Sequence, residues 1–145
     1  MLRRYRGPQL ARIAMPVGGI GTGTVSFCGN GSLRHWEIMN RPAKGFTPST
    51  ANVEPFLAIW VREGTRTKAR VLEGPLPPEE WEASHGSRAP NANLPRFRDC
   101  EFLTTYPLAA VWLHDPEFPI EPVLEAFNPL VPTDPDASGI PVAVF

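Results

Sequence analysis

The chain has 145 residues and a formal net charge of −1, from 14 basic and 15 acidic side chains. That length is enough for one domain with a real core. The charge balance gives no basic surface for nucleic acid or an anionic membrane, and 18 prolines fit short strands, turns and loops better than a helical bundle.

At the N-terminus, Arg3, Arg4 and Arg6 are followed by a stretch broken by Gln9 and Arg12. This is a poor apolar core for a secretory signal. No run of about 18 apolar residues exists to span a membrane, so a cytoplasmic location is expected. Cys28 and Cys100 are too few for a disulfide framework and read as two reduced, partly buried thiols. Asn30-Gly31-Ser32 has the form of a glycosylation acceptor but, without a secretory signal, reads as a turn.

The run from Met15 to Gly45 begins with a glycine loop. Gly19, Gly21 and Gly23 are spaced G-x-G-x-G, and Thr24 stands where the third glycine of a dinucleotide loop would be. A dinucleotide loop needs G-x-G-x-x-G ahead of a helix, whose N-terminal N–H groups hold the phosphate. Here Thr24 to Cys28 is β-prone, and Asn30-Gly31 is a strong hairpin signal. The loop therefore belongs to a β-hairpin, and nucleotide binding is set aside.

Gly23 to Cys28 and Leu33 to Ile38 form the first predicted hairpin. Phe56 to Arg62 and Thr67 to Leu72 form a second across Glu63-Gly64. Glu73 to Asp99 is a long proline-rich connection in which only Pro78 to Ala83 could make a helical turn or two; such loops are usually functional or mobile. Glu101 to Tyr106 and Leu108 to His114 follow as strands broken at Pro107. Ile120 to Phe127 is another, and Pro122 suggests an edge position. Ile140 to Phe145 begins a last strand. Many short strands with turns between them predict an all-β antiparallel sandwich, incomplete at its C-terminal end. No helix is long enough to cover a parallel sheet.

The residues offer little chemistry. H-E-x-x-H, C-x-x-C and G-x-S-x-G are all absent. His35 and Glu37 are two apart on a strand and would share a face, but no third metal ligand is tied to them. Cys28 has no activating base or helix N-terminus. Carboxylates that could form a glycosidase pair lie beside prolines or on alternating strands, where solvation is the default. Asp134 and Asp136 read as turn residues. Trp60 and Trp112, within apolar strands, read as core. Trp81, beside Glu79, Glu80 and Glu82, is the most plausible single sugar contact. Arg34, Arg41 and Lys44 flank the second strand and could clamp an acidic partner, with surface solvation the ordinary explanation. No catalytic, metal or cofactor site emerges.

Met15-Pro16-Val17-Gly18-Gly19-Ile20-Gly21-Thr22-Gly23-Thr24 and Gly31-Ser32-Leu33-Arg34-His35-Trp36-Glu37-Ile38-Met39-Asn40-Arg41-Pro42 resemble the start of the N-terminal domain of glycoside hydrolase family 116. This family contains the non-lysosomal glucosylceramidases and related β-glucosidases. The resemblance continues through Tyr106-Pro107, Asp115-Pro116, Pro119, Leu124-Glu125-Ala126-Phe127-Asn128-Pro129-Leu130-Val131-Pro132 and Ser138-Gly139-Ile140-Pro141. It spans Ile13 to Phe145, with little of it between Gly74 and Asn93.

The resemblance implies an N-terminal β-sandwich followed by an (α/α)6 catalytic barrel, which would be this chain's partner. It implies a retaining enzyme whose Glu nucleophile and Asp acid/base lie in that barrel, so no catalytic residue carries over and the chain is expected to be a fragment, inactive alone. The expected domain is residues 1–145, with the proline-rich loop at about 73–99. A glucoside or glucosylceramide-like substrate would be met only by the whole enzyme. Gly19, Gly21, Gly23, Arg34, Trp36, Asn40 and Arg41 are the expected interdomain or active-site-rim contacts, because glycines permit close approach and Arg, Trp and Asn suit specific interfaces. The glycines could equally make turns within the sandwich. The alternative is a freestanding carbohydrate-binding sandwich that uses Trp81 or Trp36.

Overall fold

The computed structural model describes residues 1–38, 41–43, 46–48, 53–77 and 91–145. Among the described residues the strands are β1 (Arg3–Arg6), β2 (Ala14–Val17), β3 (Gly23–Cys28), β4 (Leu33–Ile38), β5 (Ala58–Glu63), β6 (Arg66–Val71), β7 (Asp99–Thr105), β8 (Leu108–His114) and β9 (Val123–Phe127). A 3-10 helix covers Gly7–Arg12, and a short helix, α1, covers Pro135–Ser138. They form a four-stranded sheet ordered β1-β7-β8-β9, a three-stranded sheet β2-β3-β4 and a two-stranded sheet β5-β6. Every strand pair is antiparallel. The fold is all-β and sandwich-like, as the turn spacing predicts.

Period-2 alternation builds the core. Met15, Val17, Val25, Phe27 and Leu33 of the three-stranded sheet belong to one buried cluster with Cys100, Phe102, Ala109, Val111, Leu113, Leu124 and Ala126 of the four-stranded sheet. Phe27 and Phe102 meet across it with ring centroids 5.6 Å apart. Each large side chain removed from water here contributes about 1.5–3 kcal/mol. Cys28 and Cys100 are both thiols, not joined in a disulfide, the first half-buried and the second buried. Burial, then the charges of Asp99 and Glu101, pushes the Cys100 thiol up to about 12. It therefore stays protonated and packs as a small apolar group.

The first hairpin has the predicted bounds. Its turn is closed by Cys28 N–H to the Ser32 carbonyl (2.9 Å) and Gly31 N–H to the Cys28 carbonyl (2.9 Å), with Gly31 at a φ of 92°. The second hairpin is docked by charge. The Asp115 carboxylate is buried and accepts from Arg70 Nε at 3.1 Å. Arg98 approaches its other oxygen at 3.7 Å, and the Glu117 N–H donates to it at 2.9 Å. Desolvation alone would raise the Asp115 pKa. The Glu117 N–H and the two guanidinium groups outweigh it and hold the carboxyl below its ordinary value. Lys68 reaches the Glu117 carbonyl. At the far end of the proline-rich segment, Arg96 Nε pairs with buried Glu73 at 3.1 Å, and Arg96 Nη1 donates to the carbonyls of Asn91 and Leu94.

Several expectations are corrected. Trp60 is 58% and Trp112 43% exposed. Alternation sends Val111 and Leu113 inward, and Ile59 and Val61 toward the core, so both tryptophans stand on outward faces. The strand expected from Ile120 begins at Val123, because Pro122 has no N–H to give the ladder. The strand expected over 140–145 is only a bridge between Val144 and Phe127; Pro141 lacks a donor, and Val142 N–H turns back to the Ile140 carbonyl. His35 has a φ of 51°, and the β3–β4 register shifts between Thr24 and Ser26. This bulge breaks the alternation that would place His35 and Glu37 on one face. Asp134 caps α1, its Oδ1 accepting from Ala137 N–H at 2.9 Å, instead of sitting in a simple turn. The helical turns expected over Pro78 to Ala83, together with Lys44, Asn40 and Trp81, lie outside the described residues.

Candidate functional site

The glycine loop joins β2 to β3 and is tied down from both ends. Asn128, buried at the end of β9, accepts from Gly18 N–H through Oδ1 at 2.7 Å and donates from Nδ2 to the Pro16 carbonyl at 2.9 Å. Its own N–H donates to the Pro107 carbonyl at 3.1 Å. One side chain thus clasps the glycine loop to the end of β9 and to the β7–β8 turn. Ile20 N–H donates to the Ser138 carbonyl at 2.9 Å, and Thr22 N–H to the Gly19 carbonyl at 3.3 Å. The N–H groups of Gly18, Ile20 and Thr22 are all engaged, so the loop is not a phosphate cradle, and β3 follows it where a dinucleotide site has a helix.

Glycine is required at Gly19 and Gly21 for different reasons. A Cβ on Gly19 would run into the Ile140 carbonyl oxygen and leave the Thr22 hydroxyl at 2.8 Å. Gly21 holds a φ of 74°, which L side chains adopt only with strain. The two sequence blocks, around 15–24 and 124–141, are therefore one unit in space.

A groove of about 230 Å³ opens beside this loop, lined by Gly19, Gly21, Gly23, Thr24, Glu37, Arg41 and Pro42. Glu37 Oε1 accepts from Ala43 N–H at 3.0 Å, and Arg41 N–H donates to the Ile38 carbonyl at 3.3 Å. Arg41 and Ala43 are thereby tied back to the end of β4. A second groove of about 170 Å³ adjoins it, with Val17, Ile38 and Val142 in its wall. Ile20 is 61% and Ile38 51% exposed, and Ile140 and Val142 are also exposed. An apolar surface with one carboxylate and one guanidinium beside it has the composition of a packing surface.

Of the sequence-predicted contacts, Gly19, Gly21, Gly23 and Arg41 come together around this groove. Trp36 does not join them. Its Nε1 donates to the Leu33 carbonyl at 3.2 Å, and its ring packs on the core. Arg34 is half-buried on β4 opposite Ser26. The sequence assigns no role to Asn128, and offers Glu37 only beside His35 as a metal ligand. The Asn-Pro step directly after a strand was the available signal for Asn128, since a polar side chain there must find partners. Among the described residues that line the groove, Glu37 is the one carboxylate, whereas retaining glycosidases need two about 5 Å apart. Among the described residues there is no group of three His, Cys, Asp or Glu side chains that could hold a metal, and no helix long and apolar enough to cross a membrane.

Residues 14–145 match the family model described as beta-glucosidase 2, glycosyl-hydrolase family 116 N-term. The chain belongs to this family. Among curated proteins no match is found. As a family 116 N-terminal domain, it comes from an enzyme lineage whose chemistry is glycoside hydrolysis. The match begins at Ala14, the first residue of β2, and takes in both the glycine loop and its Asn128 clasp.

Proposed function

We propose that this chain is the supporting N-terminal domain of a retaining β-glucosidase or glucosylceramidase-like enzyme. It packs its glycine-loop face against a helical catalytic barrel that follows in the polypeptide. The observation that carries this reading is the groove at Gly19, Gly21, Gly23, Glu37 and Arg41, flanked by exposed Ile20 and Ile38. The loop is anchored from behind by Asn128, so it presents a fixed surface to its partner. The domain steadies the barrel and brings Arg41 to the active-site rim, while the carboxylate pair that acts on the glucoside belongs to the barrel. The protein works in the cytoplasm.

Arg41→Ala in the full-length enzyme is expected to lower its melting temperature, or its turnover, measurably. Unchanged values of both would overturn the interface. The rival reading, a freestanding sugar-binding module, has lost Trp36 to the core. It predicts specific sugar binding to this chain in calorimetry, and the supporting-domain reading predicts none.

A further inference from the structure

The register of the four-stranded sheet sets Arg4, Leu103, Ala110 and Glu125 in one row across its outer face. Arg6, Glu101, Trp112 and Val123 form the row on one side, and Thr105, Leu108 and Phe127 the row on the other. The opposite face carries Phe102, Val111, Leu113, Leu124 and Ala126 into the core. On the outer face Leu108, Trp112, Val123 and Phe127 are between 42% and 53% exposed. Exposed Leu2 extends the third row, where it lines a shallow concavity of about 390 Å³ with Leu103, Leu108, Ala110 and Phe127. An apolar face of this extent marks an interaction surface.

The charges on it are sorted by strand. At the β1 edge Glu101 takes both Arg4 and Arg6, so two guanidinium groups share one carboxylate and a cation is in surplus. At the β9 edge Glu125 is exposed, and among the described residues no cation is paired with it.

We propose that this face stacks on the same face of a second copy, about a two-fold axis parallel to the strands and midway between β7 and β8. That axis lays β1 over the β9 of the second copy, and β7 over its β8. Arg4 of each copy then faces Glu125 of the other, so the surplus cation meets the free carboxylate twice. In the same row Leu103 meets Ala110, a large side chain against a small one. Thr105 meets Leu108, and the Leu2 end of one copy meets the Phe127 end of the other. Trp112 meets Glu101, whose charge its two guanidinium groups already neutralise. Stacked sheets lie about 10 Å apart and cross within about 30°, a span that long Arg and Glu side chains bridge.

Other occupants suit the face less well. A lipid surface would bury the Glu101 and Glu125 carboxylates at high cost. A different protein would need the reverse order of charge across its own surface, which a second copy carries by symmetry. Four strands give a face roughly 20 Å wide, at the low end for a specific interface, so a micromolar dimer is expected. The inference goes beyond the functional reading, since it uses none of the residues of the glycine-loop groove.

Sedimentation equilibrium of the 145-residue chain tests it, with thermal melting as the check on folding. The wild type is expected to show a reversible monomer–dimer equilibrium, and a chain still monomeric at about 500 μM would overturn the proposal. Arg4→Glu sets carboxylate against carboxylate, and Glu125→Arg sets guanidinium against guanidinium. Each alone is expected to weaken association at least about tenfold. An equimolar mixture of the two variants restores opposite charges at both positions and is expected to dimerise about as tightly as the wild type. Variants that associate like the wild type, or a mixture of folded variants that fails to recover, would overturn the two-fold pairing. Glu125→Gln introduces no repulsion and is expected to weaken the dimer about two-fold or more; an unchanged dissociation constant would again overturn it.

Discussion

In the β3–β4 hairpin, Val25, Phe27 and Leu33 are buried, and Phe27 has no exposed surface. In the β5–β6 hairpin only Val71 is buried. Its further attachments include the Arg70–Asp115 pair, Arg70 over the Phe118 ring, the Lys68 contact to Glu117, the Val71 N–H bond to the Pro95 carbonyl, and partial cover of Ile59 and Val61. Both hairpins show alternation and a glycine turn. Alternation reports that one face is drier than the other, not how dry it is. The first hairpin is a wall of the core, held by non-directional apolar burial. The second is a flap held at one end by a few directional polar contacts, so salt and pH act on it selectively.

The largest expected effect is on the wall. Phe27→Ala removes a ring in contact with Phe102 and Phe145 and should cost about 3–5 kcal/mol, read as a lower urea midpoint for the whole domain. Asp115→Ala comes next, at about 1.5–3 kcal/mol, because partly exposed Arg70 regains water when its partner is lost. Its loss should appear as faster amide exchange in β5–β6 with β3–β4 unchanged. Equal loss in both hairpins would break the comparison.

Acid should mimic that variant. The Asp115 pKa is depressed on folding. Its contribution is therefore complete above the unfolded carboxyl value of about 3.9 and is lost as pH falls through the lower folded value. Exchange in β5–β6 should accelerate below about pH 4, and Asp115→Asn should abolish that acceleration. The smallest effect is expected at exposed Trp60, stacked with Arg62 at 5.3 Å. Trp60→Ala should change stability by no more than about 0.5 kcal/mol.

Trp60 also shows where the sequence stops being informative. A period of two separates residues into two sets, but either set can be the inner one. At Trp60 and Trp112 the smaller Ile59, Val61, Val111 and Leu113 take the inner places. The first hairpin was legible to the residue because Asn30-Gly31 fixes its turn and hence its register. β1 and β2 were not. Arg3–Arg6 has no apolar alternation and forms only by pairing with β7, where Arg4 and Arg6 meet Glu101. Ala14–Val17 carries Pro16, tolerated because β2 is an edge. The groove was half legible: the glycines and Arg41 stand close in sequence, but Asn128 acts from the other end of the chain.

That distance bears on how the protein is made. The bonds from Asn128 to Gly18 and Pro16 span 110 and 112 residues. At ribosomal rates, about 5–20 s pass between synthesis of the glycine loop and arrival of its clasp. Over that interval Gly18 has no side-chain amide to meet, and Met15 and Val17 have no opposing sheet. Long-range closure of this kind slows folding. The nascent N-terminal segment, with its open strand edge and exposed apolar side chains, is then the natural client for a holding chaperone until β9 emerges.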